Sequence, residues 1–448
     1  MHHMQSSFES SLVMAPGAHI AVIGAGAAGL TAAYLLQQRY RVTVFERDRR
    51  CGGHAHTILL DEGPDAGTPL DIGFMVLNDR NYPTLHQLLR TLGDIDLGDS
   101  EMSFGYYSEP DGLHYALNWN GSNTFAQETN LQGASTSSGQ PRANPHLLDL
   151  FMDIMRFCRQ VRGDLQEGRL EGLTLGDYLA AQSFPKTFID RYLLPMGAAI
   201  WSTPPGEMLA FPAQAFARFF EQHGLLSLRD VPQWQYIHGG SQRYVERLVK
   251  CFRGQVECAR PVEAVARQDE HVVVTAAGES HAFDAVVVAA HADEALRLLA
   301  DPSEDERRLL GAWRYQKNHA VLHTDTGVMP PDLTSWASWN YTREAQADAS
   351  ATLCVTYHLN RLQHHLNTVR PYFLTLNRQR AIASEHVLGE FTLTHPTYTF
   401  DALASQADLT CLNGTRRTFF CGSYLGYGFH EDAVQSGVAV AQLLGCSW

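Results

Sequence analysis

A short apolar run, Ile20-Ala21-Val22-Ile23, leads straight into Gly24, Gly26 and Gly29 in G-x-G-x-x-G spacing. This junction limits the fold more than any other stretch. It asks for a buried parallel strand, a tight turn and a helix in immediate succession. A helical segment, Leu30 to Gln38, and a second strand, Val42 to Phe45, follow and end on Glu46. Gly24 permits the turn, Gly26 lets backbone approach a pyrophosphate, and Gly29 lets helix and strand pack closely. The helix N–H groups and its positive dipole end then face the phosphates. Glu46 stands 20 residues beyond Gly26, where an acid accepts a hydrogen bond from a ribose 2′-OH. Strand, turn, helix, strand and acid in this order predict a dinucleotide-binding unit rather than a structural glycine turn.

At 448 residues the chain is too long for one compact core and predicts two or three domains. A net charge of −14 without a Lys/Arg cluster argues against nucleic acid as a partner. The eight cysteines contain no C-x-x-C, which speaks against a zinc ribbon or a redox pair and for free thiols in a reducing cytoplasm. No basic region precedes a long apolar core near the N-terminus, and no apolar run approaches a membrane span, so a cytoplasmic location is expected.

Residues 1–18 read as a flexible leader and 130–144 as a mobile surface loop rich in small polar residues. A hairpin is expected over Met102–Tyr107 and His114–Trp119, with helices over Leu147–Leu165, Thr174–Gln182 and Pro185–Leu194. The apolar face of 204–220 (Met208, Leu209, Phe211, Phe216, Phe219, Phe220) suits a helical core. It equally suits the lining of an apolar substrate tunnel or a face touching a membrane surface. The order of segments predicts an α/β chain with a Rossmann-like domain from 19–94, 225–300 and 405–448. A second, α+β substrate domain would come from 95–224 and 301–404.

Six motifs in order, IAVIGAGAAGL with FERDRRCGGH, DIGFMVLN, HGGSQRYVERL, RPVEAVAR, FDAVVVAAHADEAL and FFCGSYLGYGFHEDAVQSG, carry a family likeness. Together they resemble the flavin-dependent amine oxidase and phytoene desaturase superfamily over nearly the whole chain. The runs YLLPMGAAIWSTPP, WASWNY and GYGFHED look like a bacterial branch of FAD-binding oxidoreductases. A similar domain precedes the synthase domain of plant cyclopropane fatty acid synthases. The resemblance implies a glutathione-reductase-like architecture and FAD as cofactor. It also implies FAD-binding roles for Gly24, Gly26, Ala27, Ala28, Gly29, Glu46 and Arg47, and for Gly52, Gly53 and His54 on the following loop. Asp71, Gly73, Phe74, Val262, Gly422, Phe429, His430, Asp432 and Ala433 complete that set.

By the same likeness, the end of the chain sets His430, Glu431 and Asp432 at a helix N-terminus, where dipole and N–H groups stabilise a reduced flavin. His430 and Glu431 are the candidates for acid–base work, with Tyr424 and Tyr427 as donors to a substrate oxygen or as packing. His54 and His56 form H-x-H without a carboxylate or thiol at ligand spacing, so no metal is expected. Amine oxidases of this superfamily carry a lysine near the flavin. Here Asn318 or His319 falls at that position, with Lys317 facing the other way along a strand. Phe429 stands where a caging tyrosine is usual.

The expected reaction is removal of a hydride by FAD from an apolar substrate, a fatty acyl chain or modified lipid in a desaturase or dehydrogenase reaction. Three alternatives stay open: an oxidase of amines or amino acids, a flavin-binding partner protein of a lipid-modifying enzyme, and a redox-neutral isomerase.

Overall fold

The computed structural model describes residues 13–118, 145–227, 231–345 and 354–448. The loop expected over 130–144 and most of the leader lie outside the described residues.

Five short strands form a parallel sheet in the order Gln255–Glu257, Arg41–Phe45, His19–Ile23, Ala285–Val288 and Thr418–Phe420. Its two middle strands, His19–Ile23 and Ala285–Val288, are almost wholly shielded from water, which is why both read as unbroken apolar runs. The Gly-rich turn delivers the helix Ala27–Leu36, in which only Tyr34 is not buried. Its small side chains let a second helix, His430–Leu443, lie directly against it. A Cβ on Gly437 would come within 2.3 Å of the Ala28 carbonyl oxygen. This contact carries the N-terminus of the last helix to the edge of the parallel sheet.

A three-stranded antiparallel meander, Val262–Arg267, Val272–Ala276 and Glu279–Phe283, leads into Ala285–Val288. A seven-stranded sheet runs Val387–Thr397, Arg314–His323, Phe373–Leu376, Cys354–His358, Trp339–Arg343, Ser103–Ser108 and His114–Asn118. All its pairs are antiparallel except that of Trp339–Arg343 with Ser103–Ser108. Two smaller sheets stand beside these: Thr57–Leu59 with Pro69–Asp71, and Leu77–Asn78 with Trp234–Ile237 and Leu97–Asp99. The mixture of helices and sheets is the α/β class expected.

The helix Pro145–Gln166 is as long as its apolar periodicity requires, and Leu175–Ala181 is capped by Thr174, whose hydroxyl accepts from Asp177 N–H at 3.0 Å. The helix expected over Pro185–Leu194 runs on to Trp201 through a π-helical turn at Ile189–Leu193. Pro195 has no N–H to donate back, which accounts for the wider turn before it. Met208, Phe211, Phe216, Phe219 and Phe220 are buried in the largest core, and none lines the cavity described below. Trp201 packs on Phe211, Phe216 and Phe219 there. That face is therefore core, and the tunnel and membrane readings of it fall. Among the described residues no helix is long and apolar enough to cross a membrane.

Candidate active site

One cavity of about 870 Å³ begins at the C-terminal edge of the parallel sheet and continues to the seven-stranded sheet. Gly24 follows Ile23 there, Glu46 follows Phe45, Ala289 follows Val288, and Gly422 lies just beyond Phe420; all line it. This is where parallel α/β sheets receive ligands, because strand ends and helix N-termini converge.

The glycines divide the work as their spacing predicts. Gly24 has φ +102°, and a Cβ there would lie 2.4 Å from the Ala289 carbonyl oxygen. On Gly29 a Cβ would sit 2.0 Å from the Gly24 carbonyl oxygen, so helix and strand meet only through glycine. A Cβ on Gly26 would meet nothing within 4 Å, and Gly26 lines the cavity. The loop after Glu46 crosses at this point, with Gly52 N–H donating to the Ala25 carbonyl at 2.8 Å. Arg50 fastens the loop by donating to the Gly53 and Ala55 carbonyls at 2.6 and 3.2 Å. Glu46 accepts from the N–H groups of Ala25 and Asp48, one on each oxygen, at 2.8 and 2.9 Å. Each oxygen keeps a further lone pair for a ribose hydroxyl.

Ala27, Ala28, Arg47, Gly53, Gly73, Phe74, Val262, Phe429 and Ala433 also line this part of the cavity, with Arg47 paired to Glu294 at 2.7 Å. His54 Nε2 and Tyr424 Oη are among the buried polar atoms of wall residues that have no partner within the protein. A bare-glycine cradle, an acid at its edge and unpartnered polar atoms on wall residues fit the isoalloxazine, pyrophosphate and ribose of FAD.

Three carboxylates turn away from this cavity. Glu431, expected in acid–base work, accepts from the N–H groups of Thr84 and Leu85 at 2.9 and 2.8 Å. It therefore caps the helix Pro83–Leu92, whose free N–H groups hold it more strongly than any open position would. Asp71 accepts from Thr57 Oγ1, Ser241 N–H and Oγ, and Gln363 Nε2, at 2.7, 2.9, 2.7 and 2.5 Å. It is a buried brace between segments and does not line the cavity. Asp432 closes the turn before the last helix by accepting from Tyr427 and Phe429 N–H at 3.0 and 2.8 Å. It too is absent from the cavity wall.

Burial raises the Asp432 carboxyl to about 6, against the pull of the Phe429 and Tyr427 N–H donors. Its folded value thus lies above the ordinary aspartate value of 3.8. The stability it contributes is complete below the unfolded value and is lost as pH rises through the folded one. Asp432→Asn should therefore remove up to about 3 kcal/mol of the fall in stability between about pH 4 and pH 6. Denaturation of wild type and variant at both ends of that window checks this; identical slopes would contradict it.

His430, Tyr424 and Tyr427 do line the cavity. The His430 ring stacks on Phe74 at 3.9 Å, and its Nε2 shares a hydrogen bond of 2.5 Å with Tyr244 Oη. Burial, then the neighbouring His54, pushes its pKa down to about 3, so the ring is neutral and is not a base near pH 7. Burial and His291 likewise lower His54 to about 4. Burial lifts the Tyr424 phenol well above its usual range, which keeps it a donor.

Sequence reasoning missed His291 and His395, which join His54 in a group of rings at centroid separations of 6.2 and 5.8 Å from it. Among the described residues no group of His, Cys, Asp and Glu is placed to hold a metal ion. The alternation of apolar and Thr residues in 391–395 marks a strand with one apolar face, but does not reveal what that face covers.

At the lysine position, Asn318 is fully buried, and Lys317 and His319 on either side of it are exposed. The aromatic group over 336–341 splits: Trp339 reaches the cavity, whereas Trp336 packs on Phe373 and Tyr341 stacks on Tyr106.

The two ends of the cavity differ in kind. Its charged lining residues are Glu46, Arg47, Asp48, Arg50, Glu263, Glu294 and Arg297, all near the parallel sheet and its meander. The seven-stranded sheet contributes Trp339, Tyr357, Leu374, Leu376, Phe391, Thr392, Leu393, Thr394, His395 and Pro396, with no formal charge among them. Met75, Val76, Trp234 and Leu362 extend the same apolar wall.

Residues 27–444 match the family model of flavin containing amine oxidoreductases. A flavin-dependent L-tryptophan oxidase of Lentzea aerocolonigenes is 26% identical over 279 residues, 57% of this chain and 54% of that protein. The match therefore spans about half the length of that curated relative. A redesigned putrescine oxidase superposes with a TM-score of 0.68 at 15% identity, covering 96% of this chain and 100% of the other. A CLA-producing fatty acid isomerase from P. acnes superposes with a TM-score of 0.62 at 16% identity, covering 95% and 98%. At such identities these likenesses concern the fold.

Proposed function

Since the chain belongs to the flavin-containing amine oxidoreductase family and is an FAD-dependent oxidoreductase, we propose that it removes a hydride from an apolar, uncharged carbon chain. A fatty acyl group or modified lipid is the substrate class. The observation that carries this reading is the substrate end of the cavity, where the described lining is apolar, aromatic or neutral. An ammonium group entering there would lose its hydration without gaining a carboxylate, and a carboxylate would find no Arg clamp. Apolar chains gain about 0.8 kcal/mol for each methylene buried against such a wall.

Gly24, Gly26, Glu46, Gly52, Gly53, Val262, Gly422 and Phe429 would hold FAD, which when bound would supply the hydride acceptor. Phe74 and His430, stacked on each other, bound the cavity on the dinucleotide side and give a flat neutral surface. His430 and Ala433, in the first turn of His430–Leu443, line the cavity, and the free N–H groups and dipole of that helix N-terminus would favour negative charge on a reduced cofactor. Trp339, Leu374 and Phe391 exclude water from the substrate end and align the chain. Trp201 and Trp339 each hold an indole N–H that is buried without an acceptor, and both line the cavity.

The fold is common to proteins named as amine oxidases and as a fatty acid isomerase, so it does not choose between them. Anaerobic mixing of the flavoprotein with long-chain acyl esters, putrescine and L-tryptophan does. Bleaching of the flavin band at least tenfold faster with the acyl ester is expected. Faster bleaching by either amine would overturn the substrate assignment, and a preparation that binds no FAD would overturn the cofactor role.

A further inference from the structure

We infer that His395 is locked as a neutral Nε2–H donor facing the cavity, set in that tautomer by Asn377 and Asn318, and that it serves an acceptor atom of the bound cofactor or substrate. The lock can be read from an unambiguous end. The backbone N–H of His319 donates to Asn377 Oδ1 at 2.9 Å, which fixes the Asn377 amide so that its NH₂ faces Asn318. Asn377 Nδ2 donates to Asn318 Oδ1 at 2.8 Å, fixing the second amide in turn. Asn318 Nδ2 then points at His395 Nδ1, 3.3 Å away, and donates to it. With Nδ1 accepting, the ring proton must sit on Nε2.

The strand register makes this possible. Asn318 pairs with Leu393, and His395 lies two residues along the same strand, on the face that sends Phe391 and Leu393 into the cavity. Asn377 holds φ +55°, the left-handed region that Asn adopts more readily than most residues, immediately after the strand Phe373–Leu376. Two side chains, one backbone N–H and one uncommon backbone angle thus converge on the orientation of one ring.

The titratable groups facing His395 are His54 and His291, and burial holds both below their usual value. Burial, then those two rings, also takes His395 to about 3. A ring that is neutral with Nδ1 occupied neither takes up a proton near neutral pH nor gives up its only one. Its role is therefore donation of a hydrogen bond rather than proton transfer. Carbonyl oxygen or imine-type nitrogen is the chemistry it suits, and both the flavin ring and an acyl carbonyl carry such atoms. The inference does not depend on which substrate is oxidised.

Nitrogen-15 NMR of the histidine-labelled flavoprotein, with the His395 signals assigned by their loss in His395→Gln, reads the tautomer without any turnover. An Nε2–H tautomer unchanged from about pH 5.5 to pH 8.5 is expected. An Nδ1–H tautomer, or titration in that range, would overturn the proposal. Asn318→Asp puts an acceptor where the donor was and should move the proton to Nδ1, whereas Asn318→Leu should leave a mixture. An unchanged tautomer in both would overturn the positioning roles of Asn318 and Asn377.

His395→Phe against His395→Gln, which keeps an amide donor, then locates the acceptor. A shift of the flavin spectrum or midpoint potential in the Phe variant alone, without substrate, assigns the acceptor to the cofactor. An unchanged flavin with KM raised about tenfold or more in the Phe variant alone assigns it to the substrate. No difference between the two variants in either measurement would overturn the donor role.

Discussion

Gly29→Ala is expected to abolish flavin retention and to cost about 3 kcal/mol or more of stability, whereas Gly26→Ala should weaken retention alone. The two glycines stand three residues apart in one motif, yet they face different neighbours. A methyl group on Gly29 would be 2.0 Å from the Gly24 carbonyl oxygen and 2.9 Å from the Ala289 side chain. Backbone on one side and a buried strand on the other leave no rotamer that relieves the overlap, so the helix Ala27–Leu36 must move off the sheet. On Gly26 the same methyl group meets nothing within 4 Å, and the backbone there is extended in a way any residue adopts. It would project into the space the pyrophosphate needs for close backbone approach. FAD affinity should therefore fall about a hundredfold, close to 2.7 kcal/mol. Denaturation of the flavin-free proteins separates the two, because Gly26→Ala should unfold with wild type and Gly29→Ala well before it. Equal destabilisation of both would show that Gly26 is a folding residue and not a contact for the cofactor.

This contrast also shows what the sequence could disclose. The glycine cradle was legible because every partner it needs lies within a few residues or on the next parallel strand, where spacing alone sets geometry. The outward direction of Lys317 was legible for a similar reason, since strand alternation requires no knowledge of the neighbouring strand. Asp71, Glu431 and Asp432 were misread because a carboxylate beside a cofactor motif has two possible clients, a ligand or an unsatisfied N–H. The N–H groups that captured Glu431 belong to Thr84 and Leu85, more than three hundred positions away. His395 was invisible on other grounds. Its importance rests on the register of Val387–Thr397 against Arg314–His323 and on an asparagine beyond the end of a third strand. No local pattern encodes a three-strand coincidence. The neutral substrate end was likewise hidden, because its wall is assembled from strands that are scattered along the chain.

The second large effect belongs to Glu431, and its neighbour His430 supplies the control. Glu431→Ala should lower the stability of the protein by about 3 kcal/mol while leaving the rate of flavin reduction per bound flavin nearly unchanged. The carboxylate is buried and takes two backbone N–H groups at the start of Pro83–Leu92, with Leu85 wholly enclosed. Its loss leaves those donors without a partner where water cannot easily replace it, and charge-assisted bonds of this kind are the stronger ones. His430→Ala removes a neutral ring from the cavity wall, where it stacks on Phe74 and meets Tyr244. That variant should slow reduction more than it weakens FAD retention, with no new pH dependence between about pH 6 and pH 8, because burial already keeps the ring uncharged there. Urea unfolding and anaerobic stopped-flow on the two variants form one test. A slow but stable Glu431→Ala would restore that carboxylate to the chemistry, and equal loss of flavin and rate in His430→Ala would reduce the histidine to a packing residue.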